Sequence, residues 1–209
     1  LLDSGFPKKN ALEIVTNKFL LSKEHRLILL RGVFPASTVS AIRRKLVLPT
    51  DIRGKELRID GYNTMITVES VFLKKPVLDC DDGLLRDISG VFGRHRVSDA
   101  TMLFLQRLKS FIEKYSPRRV EIYLDKPVSM SGELASLFRK ELGAISIPVD
   151  VVLSKNVDTL VSKGEISASS DIVVVLKANK VIDLPRYLVL PSDKPKIIRL
   201  GCGFLQLFY

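Results

Sequence analysis

LRIDGYN, residues 57–63, is a short apolar strand that stops on Asp60, turns at Gly61 and places Asn63 where a helix can begin. Alternation of Leu57 and Ile59 with Arg58 and Asp60 fits the two-residue period of a strand. Glycine allows the close turn, and an Asn side chain can hold a loop by hydrogen bonds. Outward from this point, β-prone runs alternate with helical ones. Leu57–Asp60, Pro76–Leu78, Val120–Leu124, Ile147–Leu153 and Ile172–Leu176 read as strands. Thr64–Leu73, Ser98–Tyr115, Ser131–Leu142 and Val157–Lys163 read as helices. Such alternation predicts an α/β domain with a mostly parallel sheet and helices on both faces. The tail Ile197–Tyr209 fits an edge strand or a disordered end.

The first fifty residues have another texture. Asn10–Leu20 carries Leu12, Val15, Phe19 and Leu20 at helical spacing, Ser22 caps a second helix, and Ser37 caps a third that ends in Arg43, Arg44 and Lys45. The division expected is a small all-α basic module at 1–50, a linker around 49–56 marked by Pro49, Asp51 and Gly54, and an α/β domain at 57–209. The 209 residues carry a net charge of +10, and residues 1–56 hold eleven Lys and Arg against five Asp and Glu. A basic surface of this kind releases counterions on meeting a polyanion, which makes nucleic acid the expected partner; RNA is expected ahead of DNA, a preference the charge itself does not set. No apolar run suits a membrane span, and LLDSGFPKKN has no signal-peptide layout. Cys80 and Cys202 have no CxxC partner, so zinc ribbons and disulfide frameworks are excluded and a reducing cytoplasm is expected.

Carboxylates cluster at the predicted strand ends, where parallel sheets collect ligands. Asp60 closes LRID, Asp79, Asp81 and Asp82 follow PVL, Asp125 closes VEIYLD, and Asp171 ends SASSD. Acids gathered in a low-dielectric cleft repel one another unless a divalent cation lies between them, and carboxylate oxygens suit Mg²⁺ or Mn²⁺. The competing reading is that each Asp only caps a helix or turn. Arg86, Arg94 and Arg96 are candidates for holding a phosphate backbone, and Arg43, Arg44 and Lys45 for the module's share of it. His95 has no evident partner. Ser129, Ser131 and Gly132 precede a helix whose free amides favour an anion.

IDGYN is similar to the opening of PIN-like nucleases, particularly the NYN branch, and VDTLVSKGEISASSDIVVVL resembles the distal part of such domains. The chain as a whole resembles a prokaryotic family that joins a short basic helical domain to a PIN-like domain, with DGYN, CDDGLLRDISG and LDKPVSMSGELA as its blocks. The resemblance implies a three-layer α/β/α fold and a metal-dependent, ribonuclease-like phosphodiesterase. It makes Asp60 the first metal-binding aspartate and Asp171 a distal one. The middle acid stays open among Asp82, Asp87 and Asp125; Asp82 and Asp125 are the third and fourth catalytic candidates, with Glu69 and Asp158 behind them and Asn63 in support.

Two alternatives stand beside this. One is a non-catalytic RNA-binding or ribonucleoprotein factor whose acids are caps. The other is a phosphatase-type enzyme using the DCDDG loop, although the residues that follow Asp82 lack the expected hydroxyl. Walker, GxGxxG and GxSxG signatures are absent.

Overall fold

A computed structural model describes residues 1–88 and 96–200 of the protein. Three helices open the chain: α1 (Lys8–Lys18), α2 (Lys23–Gly32) and α3 (Ala36–Arg43). Ser22 caps α2 by accepting from the His25 amide at 3.2 Å, as its sequence predicts. At α3 the expected cap is displaced. Ser37 lies inside the helix, Pro35 precedes it, and the Asp3 carboxylate accepts from the Ala36 amide at 2.6 Å. The predicted linker is a packed 3₁₀ turn, Pro49–Ile52, with Ile52 fully buried in the main core.

There follow β1 (Glu56–Asp60), α4 (Gly61–Phe72), β2 (Pro76–Asp79), β3 (Leu85–Asp87), α5 (Asp99–Tyr115), β4 (Arg119–Asp125), α6 (Ser131–Leu142) and β5 (Val149–Ser154). The chain then runs through α7 (Val157–Val161), β6 (Ile166–Ala168), α8 (Ile172–Lys177), α9 (Leu184–Leu188) and β7 (Lys196–Arg199). The main sheet has the order β5-β4-β1-β6 with every pair parallel. Alternation sorts its side chains. Leu57, Ile59, Val120, Ile122 and Leu124 face the main core beneath α4, α5, α6 and α9. Tyr123 packs on the opposite face with Val157, Val161 and Val174 of α7 and α8. The architecture is therefore α/β/α with a parallel central sheet. Among the described residues no helix is long and apolar enough to cross a membrane.

The segment Ile172–Leu176 corrects the sequence reading, because it is helical. Asp171 caps it by accepting from the Val173 amide at 2.7 Å, and the edge strand is the shorter Ile166–Ala168. A continuous apolar run has no period that separates a buried strand from a buried helix, and the cap decided the outcome.

A second, three-stranded sheet, β3-β2-β7, is anticipated only through β2, the predicted strand Pro76–Leu78, and the edge-strand reading of the tail from Ile197. It carries the DCDDG block, whose acids fasten the molecule together. Asp79 pairs with Arg186 at 2.7 Å, and Asp81 accepts from the Phe34 amide at 2.8 Å. Asp82, with no exposed surface, receives both terminal nitrogens of Arg86 at 2.8 and 2.6 Å. Burial opposes the Arg86 charge, but the hydrogen bonds and field of Asp82 outweigh it and raise the guanidinium's pKa.

The helical module thus docks on the α/β domain rather than hanging from it. Arg31 pairs with Asp87 at 3.1 Å, and Ile42 packs among Leu84, Val175 and Val181. The Lys8 ammonium lies over the Phe34 ring at 3.7 Å, its pKa lowered to about 8 first by burial and then by Arg86.

Breaking a buried ion pair from one side strands the other charge. Arg86→Met is expected to cost about 3–5 kcal/mol in urea unfolding, whereas Asp82→Leu with Arg86→Met recovers most of that loss. A cost below about 1 kcal/mol for Arg86→Met alone would show that the pair does not hold the structure.

Candidate active site

Each strand of the main sheet is followed at its carboxyl end by a chain reversal, so the acids that close those strands meet along one edge. Asp60 ends β1, Asp125 ends β4, Asp158 lies in the first turn of α7 after β5, and Asp171 caps α8 after β6. Gly61 lets α4 start close against β4. A Cβ there would stand 2.6 Å from Leu124 Cδ2 and 3.0 Å from the Tyr123 carbonyl oxygen.

Asp60 is 5% exposed and fully engaged. Its Oδ1 accepts from the Asn63 amide at 3.2 Å, capping α4, and its Oδ2 accepts from Ser169 Oγ at 3.0 Å. The Ser169 hydroxyl oxygen in turn accepts from the Asp171 amide at 3.1 Å, so one side chain spans the two end acids. Asn63 Oδ1 accepts from both the amide and the hydroxyl of Ser170, at 2.8 and 3.0 Å. Arg86 Nε donates to the Ser170 carbonyl at 2.8 Å. DGYN and SASSD are therefore one hydrogen-bonded unit.

The acids feel one another. Burial is the main force raising Asp60 to about 7, with Asp125 and Asp158 adding to it against the two hydrogen bonds. Burial and then Asp158 raise Asp125, while burial and then Asp171 raise Asp158. Tyr62, at the start of α4, is pushed up to about 12 by burial and by Asp125. Asp125 is half-buried and Asp158 exposed, and among the described residues neither side chain has a hydrogen bond or ion pair.

No three of the described His, Cys, Asp and Glu side chains converge tightly enough to enclose an ion. A Mg²⁺-like cation keeps much of its water and is held by one or two carboxylates with substrate phosphate. Of the edge acids, Asp125 and Asp158 have no side-chain partner among the described residues, whereas both oxygens of Asp60 accept hydrogen bonds.

The remaining predicted residues divide differently. Asp82 and Arg86 are committed to each other, which removes the one as a metal ligand and the other as a phosphate clamp. Asp87 pairs with Arg31, and Glu69 accepts from Thr101 Oγ1 at 2.6 Å, tying α4 to α5. Arg43 Nε donates to the Asp81 carbonyl at 3.0 Å, and Lys45 Nζ to the Val175 and Leu176 carbonyls at 3.1 and 2.7 Å. Arg44 and Arg96 are exposed. Arg94 and His95 lie outside the described residues.

At the start of α6, Ser129 and Gly132 are exposed, but Ser131 is buried and inward-bonded. Its amide donates to the Val128 carbonyl and its hydroxyl to the Lys126 carbonyl, both at 3.1 Å, leaving neither for an anion. Ser169 was missed by the sequence reading. Its signal is the Ser-x-Asp spacing, in which a hydroxyl two residues before an aspartate meets that residue's amide.

A family model described as a domain of unknown function (DUF5616) matches residues 49–187, and one described as a protein of unknown function (DUF434) matches residues 1–45. The chain belongs to the DUF5616 family. An uncharacterized protein of Methanocaldococcus jannaschii, MJ0935, is 34% identical over 186 residues, 88% of this chain and 89% of the relative. The family is thus prokaryotic and two-part along most of its length. No solved structure matches the chain.

The sign of the Asp60 titration gives a test. Its ordinary value is 3.8, so between about pH 4 and 7 the folded carboxyl keeps a proton that the unfolded chain releases. The stability it contributes is full below pH 4 and is lost as pH rises through about 7, up to ~4 kcal/mol in all. Asn keeps the cap without ionising. The melting temperature of the unaltered protein is expected to drop relative to Asp60→Asn between pH 4 and 8, and Mn²⁺ at pH 8 to raise only the unaltered protein. A constant difference across that range would remove burial as the source of the shift.

Proposed function

We propose that the chain is a divalent-cation-dependent phosphodiesterase that hydrolyses RNA, a ribonuclease-like activity of the PIN-like, NYN-type class its DGYN and SASSD blocks resemble. The observation that carries this is the placement of Asp60, Asp125, Asp158 and Asp171 along one sheet edge, where burial first and then neighbouring carboxylates raise Asp60, Asp125 and Asp158.

When bound, a Mg²⁺ or Mn²⁺ ion supplies positive charge and Lewis acidity toward a phosphodiester. The protein's part is positional. Ser169 holds Asp60 and orients the Asp171 turn, Asn63 locks that turn to α4, and burial keeps the Asp60 carboxylate short of water. Asp125 and Asp158, without side-chain partners, are placed to accept protons or orient water.

A non-catalytic RNA-binding factor whose acids are caps is the second reading, and the capping of α4 by Asp60 and of α8 by Asp171 favours it. The phosphatase-type reading is the weaker one: Asp79 and Asp82 of the DCDDG loop are paired with Arg186 and Arg86, and one oxygen of Asp81 accepts from the Phe34 amide while its other, buried, has no partner among the described residues.

The test is cleavage of labelled RNAs with Mn²⁺. The unaltered protein is expected to cut and chelation to stop it. Ser169→Ala should lose ~10–100-fold, as supporting residues do, and Asp60→Asn more. Equal cleavage by unaltered protein and Asp60→Asn, or none by either across varied RNAs, defeats the enzyme reading; binding that survives chelation without cleavage establishes the second.

A further inference from the structure

The sequence reading places its phosphate-binding cations in two separate groups, Arg43, Arg44 and Lys45 on the helical module and Arg86, Arg94 and Arg96 on the α/β domain. The fold instead joins cations from both parts into one seam. Residues 36–50, which form α3 and its exit, and residues 172–182, which form α8 and its exit, contain Arg43, Arg44, Lys45, Lys177 and Lys180 and not one Asp or Glu.

These two segments are held in fixed register. The Val47 amide donates to the Val181 carbonyl and the Val181 amide to the Lys45 carbonyl, both at 2.9 Å. Ile42 packs against Val175, Ala178 and Val181 beneath them. The Ile182 amide donates to the Ser167 carbonyl at 3.0 Å and the Ser167 amide to the Lys180 carbonyl at 3.0 Å, so the same strip is fastened to the edge strand of the main sheet.

Cations near helix C-termini are often no more than complements to the helix dipole. Here Lys45 fills that role for α8 through the Val175 and Leu176 carbonyls, and Arg43 is turned onto the Asp81 carbonyl. Arg44, Lys177 and Lys180 are exposed and make no side-chain hydrogen bond or ion pair among the described residues. At 1.5 Å per residue, the six residues of α8 carry the chain only ~9 Å from Asp171 to Lys177, and the Lys177 charge still acts on Asp158.

We propose that Arg44, Lys177 and Lys180 form one phosphate-binding seam that leads single-stranded RNA along α8 to the acidic edge, with the docked helical module supplying its far end. This rests on the RNA reading above and adds the path of the substrate. The chemistry recognised is the regular negative charge of the backbone, which long, unpartnered cations meet without base preference.

The test uses the full chain carrying Asp60→Asn, so that cleavage does not remove the probe, and a labelled 20-nucleotide oligouridine followed by fluorescence anisotropy over a salt series. Arg44→Glu with Lys177→Glu and Lys180→Glu is expected to weaken binding at least ~10-fold and to make the log–log salt dependence shallower by about 2, since each single-strand phosphate contact contributes ~0.7. Lys109→Glu with Lys114→Glu and Lys140→Glu, on helices covering the other face of the sheet, controls for net charge and should change both much less. Melting temperatures confirm that each triple variant folds. Should the reversal of the seam have no effect, or only the effect of the control set, the seam is overturned while the hydrolase reading stands. Seam-dependent binding by a protein that, unaltered, never cleaves RNA with Mn²⁺ supports the seam and defeats the hydrolase. No binding by the parent even at low salt overturns both.

Discussion

A carboxylate removed from water at the end of a parallel strand is the constraint around which this molecule is arranged. Asp60 is nearly inaccessible, and an isolated buried charge is among the most expensive groups a protein can hold. The fold offsets that expense with two donors from different segments, the Asn63 amide three residues on and the Ser169 hydroxyl on the neighbouring strand's exit. The second bond requires β1 to sit beside β6, which the register Ile59↔Ala168 provides. Sheet order and site are therefore one fact. A strand inserted between β1 and β6 would leave Asp60 buried with a single partner.

The same economy extends to the second sheet. Arg86 is pinned by Asp82 and reaches the Ser170 carbonyl, and Ser170 is in turn gripped by Asn63. Beside it, Asp81 holds the Phe34 amide while the Arg43 guanidinium holds the Asp81 carbonyl. An unbroken series of polar contacts thus runs from the helical module through DCDDG to the turn that bears Asp171. Because buried polar groups are costly when half-satisfied, the members of such a series favour a single arrangement. The module's docking and the shape of the acidic edge are physically coupled through it.

Much of this was legible in local patterns, and the exceptions have physical reasons. The helix at Ser131–Leu142, the strand closing on Asp125 and the cap at Ser22 each follow from a period or a capping residue that acts within a few positions. The pairing of the second sheet was not legible, since β3 has three residues and β7 pairs with β2 across more than a hundred positions. The role of DCDDG was misjudged for a related reason. Three acids in four residues look alike in sequence, and only tertiary partners separate Asp82, neutralised by Arg86, from an acid such as Asp125 that has no side-chain partner. Asp158 was underrated because a residue in a helix's first turn resembles an ordinary dipole-favouring acid.

The distribution of unsatisfied charge makes the last distinction. Other carboxylates of this protein are committed to ion pairs: Asp82 with Arg86, Asp79 and Asp183 with Arg186, Asp150 with Arg119. What remains without a side-chain partner among the described residues includes carboxylates at the sheet edge, Asp125 and Asp158, and cations beside it, Arg44, Lys177 and Lys180. Like charges gathered at one edge raise the energy of the folded state, so a chain selected only for stability would gain nothing from placing Asp125 and Asp158 there without partners. Segregated, solvent-facing charge of both signs is what a phosphodiester chain requires. On the proposed reading the cations would hold its backbone, and the acids, with a cation between them and the phosphate, would approach a bond they otherwise repel.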